Sequence, residues 1–374
     1  MDALILSCST GGGHNAAGLA IKEELLRRGH TVEMFDPYSL VSEKLASGIG
    51  NSYIKLVQKI PFLFGTMYLL GDIYRKLPIY SPVYQLNSRV AKRLRKYLKM
   101  NHFDVIIMPH LFPAEITTYL KKHNTDMPKT VFVATDYVCI PFTEETDCDY
   151  YVIPHKELAS NFIGRGIPEE KLLPFGIPAG RAFSEDIEKR EAKRRLGLDP
   201  EMDYYLITGG SIGAGKLQET VKVLFRYAKG RERLRLIVIC GNNEKLYKKM
   251  KARYPELVIL IKSTSRMAEY MKACDLFFSK AGGLSSTEAA GAGGPLIHIS
   301  PLPGCEVINM NFFVEHGMSL GVKNIRKGLL PAVERLQNAE VLSVMKKNQR
   351  KCIGMSARDQ ICDWLEQFAG ADTE

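Results

Sequence analysis

A histidine beside a run of glycines is the first residue of this chain whose position suggests chemistry. His14 follows three glycines after a short apolar run, and a helical pattern extends over residues 15–28. Glycines let the backbone pass close to a ligand, and the free amides at a helix start favour an anion and disfavour an imidazolium. His14 is therefore expected to stay neutral and to accept a proton from a hydroxyl group. A histidine that faces solvent or caps the helix is the alternative interpretation.

Two more glycine-rich turns follow apolar runs in the second half of the chain. Residues 208–215 lack the Lys-Ser/Thr ending of a Walker loop, and residues 281–290 again lead into a helical pattern. Each turn can offer backbone amides to an anion, and two such sites suit a diphosphate. Glu288, one turn into the later helix, is placed to accept hydrogen bonds from two neighbouring hydroxyls, as on a ribose. The alternative is that Glu288 is the capping-box partner of Ser285.

These turns indicate a reaction in which a nucleoside diphosphate is displaced. Helix N-termini can stabilise the charge on such a leaving group where other enzymes use a metal ion. The Asp-x-Asp string at residues 147–149 precedes an apolar run instead of following one, so it predicts a solvated loop. Neither a metal site nor a cofactor is expected.

Short apolar runs alternate with helical patterns through the chain, which is typical of βα units on parallel sheets. The predicted strands are 3–8, 31–35, 105–108, 130–134 and 150–153, then 204–208, 234–240, 258–261, 276–279 and 296–299. The predicted fold class is therefore α/β, with two Rossmann-like parallel-sheet lobes facing a cleft. The predicted domains are residues 1–178 and 179–340, and helices at 341–374 are expected to pack back on the first domain.

The composition places the protein among globular, reduced, cytoplasmic proteins. Of the 374 residues, 45% are hydrophobic, enough for two cores, and the eight cysteines show no metal-ligand spacing. Residues 1–8 lack a basic segment and predict a strand instead of a signal peptide. No window approaches the roughly 18 apolar residues of a membrane-spanning helix.

The formal net charge of +10 is unevenly distributed. Residues 75–99 contain eight basic and no acidic side chains, and they adjoin an apolar run at residues 60–70. An apolar run beside basic residues favours a membrane surface, so residues 51–99 are predicted to contact anionic lipid and to associate the protein peripherally with a membrane. The alternatives are a buried hairpin for the apolar run and nucleic acid for the basic stretch. Nucleic acid is not expected, because an apolar run has no use in binding a phosphate backbone.

Taken together, the motifs resemble the monogalactosyldiacylglycerol synthase and processive diacylglycerol glucosyltransferase family. More distantly, they resemble the N-acetylglucosaminyltransferase that makes lipid II. The family's G-G-G-H, Thr-Asp and G-G-x-T-x-T-E-A elements are similar to residues 11–14, 135–136 and 282–289. Its P-G-Q-E, a following asparagine and N-F-F are similar to residues 303–306, Asn309 and residues 311–313. The resemblance covers nearly the whole chain.

The resemblance implies a GT-B fold and an inverting glycosyltransferase mechanism without metal. It also implies a UDP-sugar donor held mainly by the second lobe. His14 would be the base on the acceptor hydroxyl, supported by Asp136 and beside an acceptor loop at Gly12 and Gly13. Glu288 would hold the ribose. The other implied donor-binding residues are Gly210, Ser211, Gly213, Thr264, Gly282, Gly283, Ser285, Thr287, Cys305, Glu306 and Asn309.

Two departures from the family leave the substrates open. Cys305 stands where the family has a glutamine, which removes a side chain that can bridge two sugar hydroxyls. The Thr-Asp element continues without the histidine that many lipid synthases have there. The predicted function is transfer of a hexosyl unit from a UDP-sugar to diacylglycerol or a related membrane lipid. The alternatives are a non-lipid acceptor, a sugar-nucleotide epimerase and a non-catalytic UDP-sugar sensor.

Overall fold

The chain divides into two compact units. The computed structural model describes residues 1–8, 12–44, 46–48, 82–123, 125–254, 258–353 and 356–371. The first unit comprises Met1–Gly180 and Ser356–Glu374, and the second comprises Arg181–Met355. Residues 51–81 of the predicted lipid-contacting segment lie outside the described residues.

The first unit is built on a six-stranded sheet. Its strands are β1 (Asp2–Leu6), β2 (Thr31–Phe35), β3 (Val105–Met108), β4 (Lys129–Val133), β5 (Tyr150–Val152) and β6 (Leu172–Leu173). They pair in the order β2-β1-β3-β4-β5-β6, and every pair is parallel. The helices described before residue 180 are α1 (Gly12–Arg27), α2 (Pro82–Met100), α3 (Leu111–Lys122) and α4 (Ala159–Ile163).

The second unit repeats this architecture. Its strands are β7 (Asp203–Thr208), β8 (Leu234–Ile239), β9 (Val258–Ile261), β10 (Leu276–Ser279), β11 (Leu296–Ile299) and β12 (Leu320–Val322). They form a parallel sheet in the order β12-β11-β10-β7-β8-β9. Its helices are α5 (Arg181–Ser184), α6 (Lys189–Arg195), α7 (Leu217–Ala228), α8 (Glu244–Arg253), α9 (Met267–Ala273), α10 (Gly283–Gly291), α11 (Cys305–Glu315), α12 (Ile325–Leu336) and α13 (Ala339–Cys352).

All ten predicted strands are confirmed to within two residues at either end. Strands β3, β10 and β11 are buried at every residue, because helices cover both faces of a parallel sheet. This is why they stand out in the sequence as continuous apolar runs. The two strands that the sequence did not reveal, β6 and β12, are two and three residues long and lie at sheet edges.

The strand order creates one crevice in each sheet. In the first unit β1 lies between β2 and β3, and in the second unit β7 lies between β8 and β10. At such a switch point, the connections from the two neighbouring strands leave the carboxyl ends in opposite directions. The divergence of these connections leaves room for a ligand. The segments that follow β1, β3, β7 and β10 are therefore the ones positioned to bind substrates.

The C-terminal helices divide between the two units. Helix α13 belongs to the second unit, where the buried Gln349 amide donates to the carbonyl oxygens of Gly294 and Met318 at 3.0 and 2.9 Å. Helix α14 (Ala357–Ala371) belongs to the first unit, and its buried Ile361 and Leu365 pack in the cluster that holds β1 and α1. The sequence had grouped both helices in one segment, 341–374.

Candidate active site

His14 lies in the first turn of α1, directly beyond the carboxyl end of β1. Its Nδ1 donates to the carbonyl oxygen of Pro109 at 2.8 Å, and the Thr135 hydroxyl oxygen lies 2.9 Å from the same nitrogen. Because a carbonyl oxygen only accepts, Nδ1 carries the ring proton, and Nε2 of the neutral imidazole keeps its lone pair. The backbone after β3 thus sets the tautomer that a general base on a hydroxyl group requires.

The environment of His14 favours the neutral ring. Burial lowers the pKa of His14 from its ordinary 6.5, while the charge of Asp136 and the bond to Pro109 act in the opposite direction. Asp136 follows β4, and together with His14 it lines a cavity of about 10 Å³ whose other walls include Leu111 and Phe132. A cavity of that volume has room for about one water molecule. The structure therefore brings both predicted catalytic residues to one place.

The two predicted acceptor-loop glycines are helical. The sequence placed Gly12 and Gly13 in a turn ahead of a helix at residue 15, whereas α1 begins at Gly12. Gly13 is exposed and Gly12 is half-buried, so the first helical turn itself presents backbone to solvent beside His14. The Ser7 hydroxyl donates to the Asn15 side-chain oxygen at 2.6 Å, which fastens this turn to the end of β1.

His110 is a residue of this site that the sequence analysis did not single out. It follows β3, and its ring meets the His14 ring edge-on with the centroids 4.5 Å apart. Its Nδ1 accepts the backbone N–H of Phe112 at 3.1 Å, so it caps α3. Burial, and secondarily the charge of His14, holds the pKa of His110 well below 6.5. The available signal was a histidine directly after a predicted strand at the same sheet edge as His14.

In the second unit, the turn after β7 takes its shape from glycines. Gly210 and Gly213 have φ angles of 71° and 58°. A Cβ on Gly213 would lie 2.1 Å from the Cys240 carbonyl oxygen, so no larger residue fits there. The Ser211 carbonyl oxygen accepts the N–H of Asn242 at 2.8 Å, which locks this turn to the loop after β8. The predicted anion-binding turn is therefore a rigid element.

Lys280 joins the predicted donor-binding segments, although the sequence analysis did not name it. Its ammonium group pairs with the nearly buried carboxylate of Glu306, whose other oxygen accepts the N–H of Leu302 at 2.9 Å. A Cβ on Gly210 would lie 3.0 Å from Lys280 Cε, and one on Gly282 would lie 3.9 Å from Nζ. A cation thus lies beside both glycine-rich turns. Glu306 holds this lysine, a contact that the predicted role in reading sugar hydroxyls did not include.

Helix α10 begins at the second predicted anion site. Its N-cap is Gly282, so Ser285 lies inside the helix and the capping box with Glu288 is not formed. The Thr287 hydroxyl is buried and donates to the Gly283 carbonyl oxygen at 2.9 Å. Because the N-cap is Gly282 and not Ser285, the capping alternative for Glu288 is excluded. Burial raises the pKa of Glu288 from 4.5 to about 8 although part of the residue is exposed.

The remaining predicted donor residues lie in three different settings. Thr264 follows the edge strand β9, and its hydroxyl accepts the N–H of Arg266 at 2.9 Å. Asn309 is fully buried, and its side-chain nitrogen donates to the Ala281 carbonyl oxygen at 3.0 Å, which supports the turn before α10. Cys305 is the partly exposed first residue of α11. Cys305 and Asn309 thus adjoin the lysine site, while Thr264 lies at the far edge of the sheet.

Comparison with known proteins identifies the family. Residues 14–179 match the family model for monogalactosyldiacylglycerol (MGDG) synthase, and residues 205–357 match that for the glycosyltransferase family 28 C-terminal domain. The chain belongs to the MGDG synthase and processive diacylglycerol glucosyltransferase family. It is a family 28 hexosyltransferase, as the resemblance in the sequence predicted.

Relatives of this glycosyltransferase are distant in sequence. A probable chloroplastic monogalactosyldiacylglycerol synthase 3 of Oryza sativa subsp. japonica is 28% identical over 87% of this chain and 66% of its own length. A processive diacylglycerol beta-glucosyltransferase of Bacillus licheniformis is 26% identical over 97% and 94% of the two chains. The chain therefore spans just under two thirds of the rice protein and nearly all of the bacterial one.

The fold of this glycosyltransferase is GT-B, which confirms the predicted fold class. The crystal structure of MurG from Acinetobacter baumannii covers 98% of this chain, and the match covers 99% of that protein. The TM-score is 0.61 at 15% sequence identity, so this likeness establishes the fold alone.

The Asp-x-Asp string of this glycosyltransferase lies in the loop before β5, where Asp147 is exposed as the sequence predicted, whereas Asp149 has a structural role that the sequence did not predict. The Asp149 carboxylate accepts from Lys121 at 2.8 Å and from both the N–H and the hydroxyl of Thr130 at 2.7 Å. Asp147 pairs with Lys171 at 3.1 Å. These contacts fasten the start of β5 to β4 and α3. In the described part of the chain, no three His, Cys, Asp or Glu side chains are grouped as metal ligands.

Proposed function

We propose that this glycosyltransferase moves a hexosyl unit from a UDP-sugar to diacylglycerol or a related membrane lipid, with inversion at the sugar and without a metal ion. The observation that carries the proposal is the tautomer of His14, since the Pro109 carbonyl leaves Nε2 as a proton acceptor. The names of the rice and bacillus relatives support diacylglycerol as the acceptor. In this proposal the first unit takes the acceptor and the second unit takes the donor.

The chemical step follows from the charges. The acceptor oxygen attacks the anomeric carbon from the side opposite the diphosphate, the bond to the leaving oxygen breaks, and His14 Nε2 takes the hydroxyl proton. The imidazolium that forms is stabilised by the nearby charge of Asp136, which favours the protonated ring. His110 is held neutral and so adds no competing charge beside it.

The leaving UDP acquires negative charge, and in this proposal three groups stabilise it. These are the turn that contains Gly210, Ser211 and Gly213, the start of α10 at Gly282 and Gly283, and the ammonium of Lys280. Backbone amides and a fixed cation can supply the stabilisation for which other enzymes use a metal. Ser285 and Thr287 belong to the same helical turn.

The other donor contacts remain part of the proposal. Glu288 takes the ribose hydroxyls, the backbone near Thr264 takes the uracil, and Cys305, Glu306 and Asn309 lie on the side of the sugar. The identity of the sugar is left to experiment, because the Cys305 thiol is only a weak donor and acceptor where a glutamine would offer a strong donor and a strong acceptor.

Membrane attachment is supported by helix α2. Its buried Val90, Ala91 and Leu94 face the core. Its opposite face is exposed and basic, with Arg89, Lys92, Arg93, Arg95, Lys96 and Lys99. A basic face of this kind suits an anionic leaflet, where each positive charge contributes about 1 kcal/mol. Within the described residues no helix meets the length and apolarity needed to cross a bilayer.

The first experiment measures product formation. Purified protein receives UDP-glucose, UDP-galactose or UDP-N-acetylglucosamine with diacylglycerol in anionic vesicles, with and without EDTA. The expected result is a glycolipid that persists in EDTA, and a kcat roughly 10²- to 10⁴-fold lower in His14→Ala. The matched control is His102→Ala, because His102 has a side chain that is 82% exposed and no role in the proposal.

Several outcomes would redirect the proposal. Full activity in His14→Ala would remove its central residue, and activity lost in EDTA but restored by magnesium would contradict the metal-free step. UDP binding without product on any lipid would favour another acceptor or a sensor. A new sugar nucleotide formed without acceptor would favour an epimerase.

The second experiment measures vesicle binding by sedimentation. Replacing Lys92, Arg93 and Lys96 with Gln should weaken binding to anionic vesicles by about 3 kcal/mol, or roughly 100-fold, and should reduce its salt dependence. The control is the same change at Lys245, Lys248 and Lys249, which are exposed on α8 of the second unit. Equal losses from both triple variants would show that net charge and not α2 carries the binding.

A further inference from the structure

A buried polar chain runs behind the start of α10. His298 on β11 is fully buried, and its Nε2 lies 2.9 Å from the Ser286 hydroxyl on α10. Its Nδ1 lies 2.9 Å from the Ser319 hydroxyl, and Ser286 and Ser319 are both nearly inaccessible to solvent. The Ser286 hydroxyl in turn contacts the Gly282 carbonyl oxygen at 2.8 Å. Three side chains thus connect the segment before β12 to the N-cap of the proposed diphosphate site.

The direction of each hydrogen bond in this chain is determined. The Gly282 carbonyl oxygen only accepts, so the single proton of the Ser286 hydroxyl points at it. Ser286 must therefore accept from His298, which places the ring proton on Nε2. Nδ1 is then an acceptor, and Ser319 donates to it. Burial lowers the pKa of His298 to about 3, which keeps the ring in this neutral form at working pH.

The far end of the chain sets the orientation of a peptide group. The Gly282 carbonyl oxygen accepts both the N–H of Ser286 at 2.9 Å and the Ser286 hydroxyl. A trans peptide is planar, so its N–H points away from its carbonyl oxygen. Fixing the Gly282 carbonyl towards the helix therefore fixes the Gly283 N–H, the first amide of α10, away from the helix. Asn309 holds the preceding carbonyl oxygen, on Ala281, at 3.0 Å.

We propose that Ser319, His298 and Ser286 form a positioning relay that orients the Gly282–Gly283 peptide and so aims the first amide of α10 at the donor diphosphate. The inference rests on the proposed function, since it concerns the same donor site. None of the three side chains touches the substrate in this scheme. Their effect is to keep an amide dipole preorganised, so that no reorientation is needed when UDP binds.

The test compares two substitutions of His298. His298→Leu removes the hydrogen bond to Ser286 but keeps an apolar side chain in the core, and His298→Gln keeps an N–H that can donate to Ser286. UDP affinity is measured by titration calorimetry and the melting temperature by scanning calorimetry. We expect His298→Leu to bind UDP about tenfold more weakly and to melt at a lower temperature, because the buried Ser319 hydroxyl loses its acceptor, and His298→Gln to bind within about twofold of wild type.

Ser286→Ala provides a second route if His298→Leu does not fold. It should show the same loss of UDP affinity, and the double variant with His298→Leu should lose no more than either single variant, because the two residues act in series. The matched control is Thr220→Val. Thr220 is a buried residue of α7 whose hydroxyl also donates to a carbonyl four residues earlier, on Lys216 at 3.1 Å, without a histidine behind it.

Each outcome supports or overturns the proposed relay. Wild-type affinity in His298→Leu and Ser286→Ala, or an equal loss in Thr220→Val, overturns the relay. If the wild-type protein binds no UDP, the proposed function fails, and hydrogen–deuterium exchange in residues 280–288 then tests the relay by itself. Faster exchange there in Ser286→Ala than in Thr220→Val supports the relay, and unchanged exchange overturns it.

Discussion

Three ionisable side chains at the proposed sites are held uncharged by their surroundings. Burial lowers the pKa of His14 and of His110, so both rings are neutral near neutral pH. Burial raises the pKa of Glu288 to about 8, so its carboxyl group is mainly protonated at pH 7. In the proposed reaction His14 becomes charged when it takes the acceptor proton, and the adjacent charge of Asp136 then stabilises the imidazolium.

His14 should determine the acidic limb of the pH–rate profile. The base acts only when it is neutral, so kcat/KM should rise as pH passes through its pKa, which lies below 6.5. Asp136→Asn removes a charge that raises this pKa, so the limb should move to lower pH while the rate falls. Steady-state kinetics between pH 5 and 8 would check this, and a limb that stays in place in Asp136→Asn would argue that the two residues are not coupled.

Glu288 should make UDP binding depend on pH. In the proposed complex two ribose hydroxyls donate to an ionised carboxylate, so binding would favour loss of a proton that the free protein holds below about pH 8. Affinity should therefore rise between pH 7 and 8, and titrations in buffers of different ionisation enthalpy should report proton release. Glu288→Gln should bind more weakly at pH 8 and should lose this slope. A slope that persists in the variant would assign it to another group.

At the scale of elements, the glycine turn after β7 and the loop after β8 form one interlocked structure. Gly213 and Gly241 have no room for a Cβ, which would lie 2.1 and 2.3 Å from backbone oxygens of the facing segment, and a Cβ on Gly209 would lie 2.4 Å from the Ala214 carbonyl oxygen within its own turn. The close approach explains why three separated glycines are required there.

Gly213→Ala should therefore cost more than the conformational strain alone. Gly230 also has a positive φ, of 80°, but a Cβ there would meet nothing within 4 Å, so Gly230→Ala isolates the strain. We expect Gly230→Ala to lose about 1–2 kcal/mol of stability and Gly213→Ala to lose several kcal/mol more, together with UDP affinity. Scanning calorimetry and UDP titration would measure both variants. Equal melting temperatures would contradict the steric argument.

At the scale of the whole molecule, the last helix completes the first unit. Arg28 at the end of α1 pairs with Asp363 at 2.6 Å and with Glu366 at 2.9 Å, both on α14. The buried Glu24 also pairs with Arg28, at 2.9 Å. Ile361, Cys362 and Leu365 of α14 are fully buried against the sheet. The first unit therefore depends on residues that lie far along the chain, since Asp363 and Glu366 are 335 and 338 positions from Arg28.

Leu365→Ala should destabilise the first unit selectively. Removing a fully buried leucine side chain costs about 2–5 kcal/mol, whereas Gln367→Ala on the exposed face of α14 should change stability by less than about 0.5 kcal/mol. Scanning calorimetry measures the melting of the protein, and the two units can unfold in separate transitions. A shift confined to one transition is expected. Equal shifts in every transition would mean that the units unfold as one.

The sequence by itself determined the two βα lobes, the family and the segments that carry the site. Strands buried on both faces must be mainly apolar, and glycines must stand where backbone approaches backbone. Both features are therefore visible in a short stretch of sequence. The predicted residues His14, Asp136, Gly210 and Glu288 belong to such local patterns.

Only the tertiary structure decided which polar side chains meet. Thr135 contacts His14 across 121 positions, and Glu306 holds Lys280 across 26. Lys280 and His298 have no local pattern that marks them, because their roles depend on partners brought close by strand order, and for His110 the local signal is only its position directly after a strand. The tautomer of His14 was likewise decided by a carbonyl 95 positions away. Hydrogen-bond direction and burial are properties of the packed structure, and no spacing along the chain encodes them.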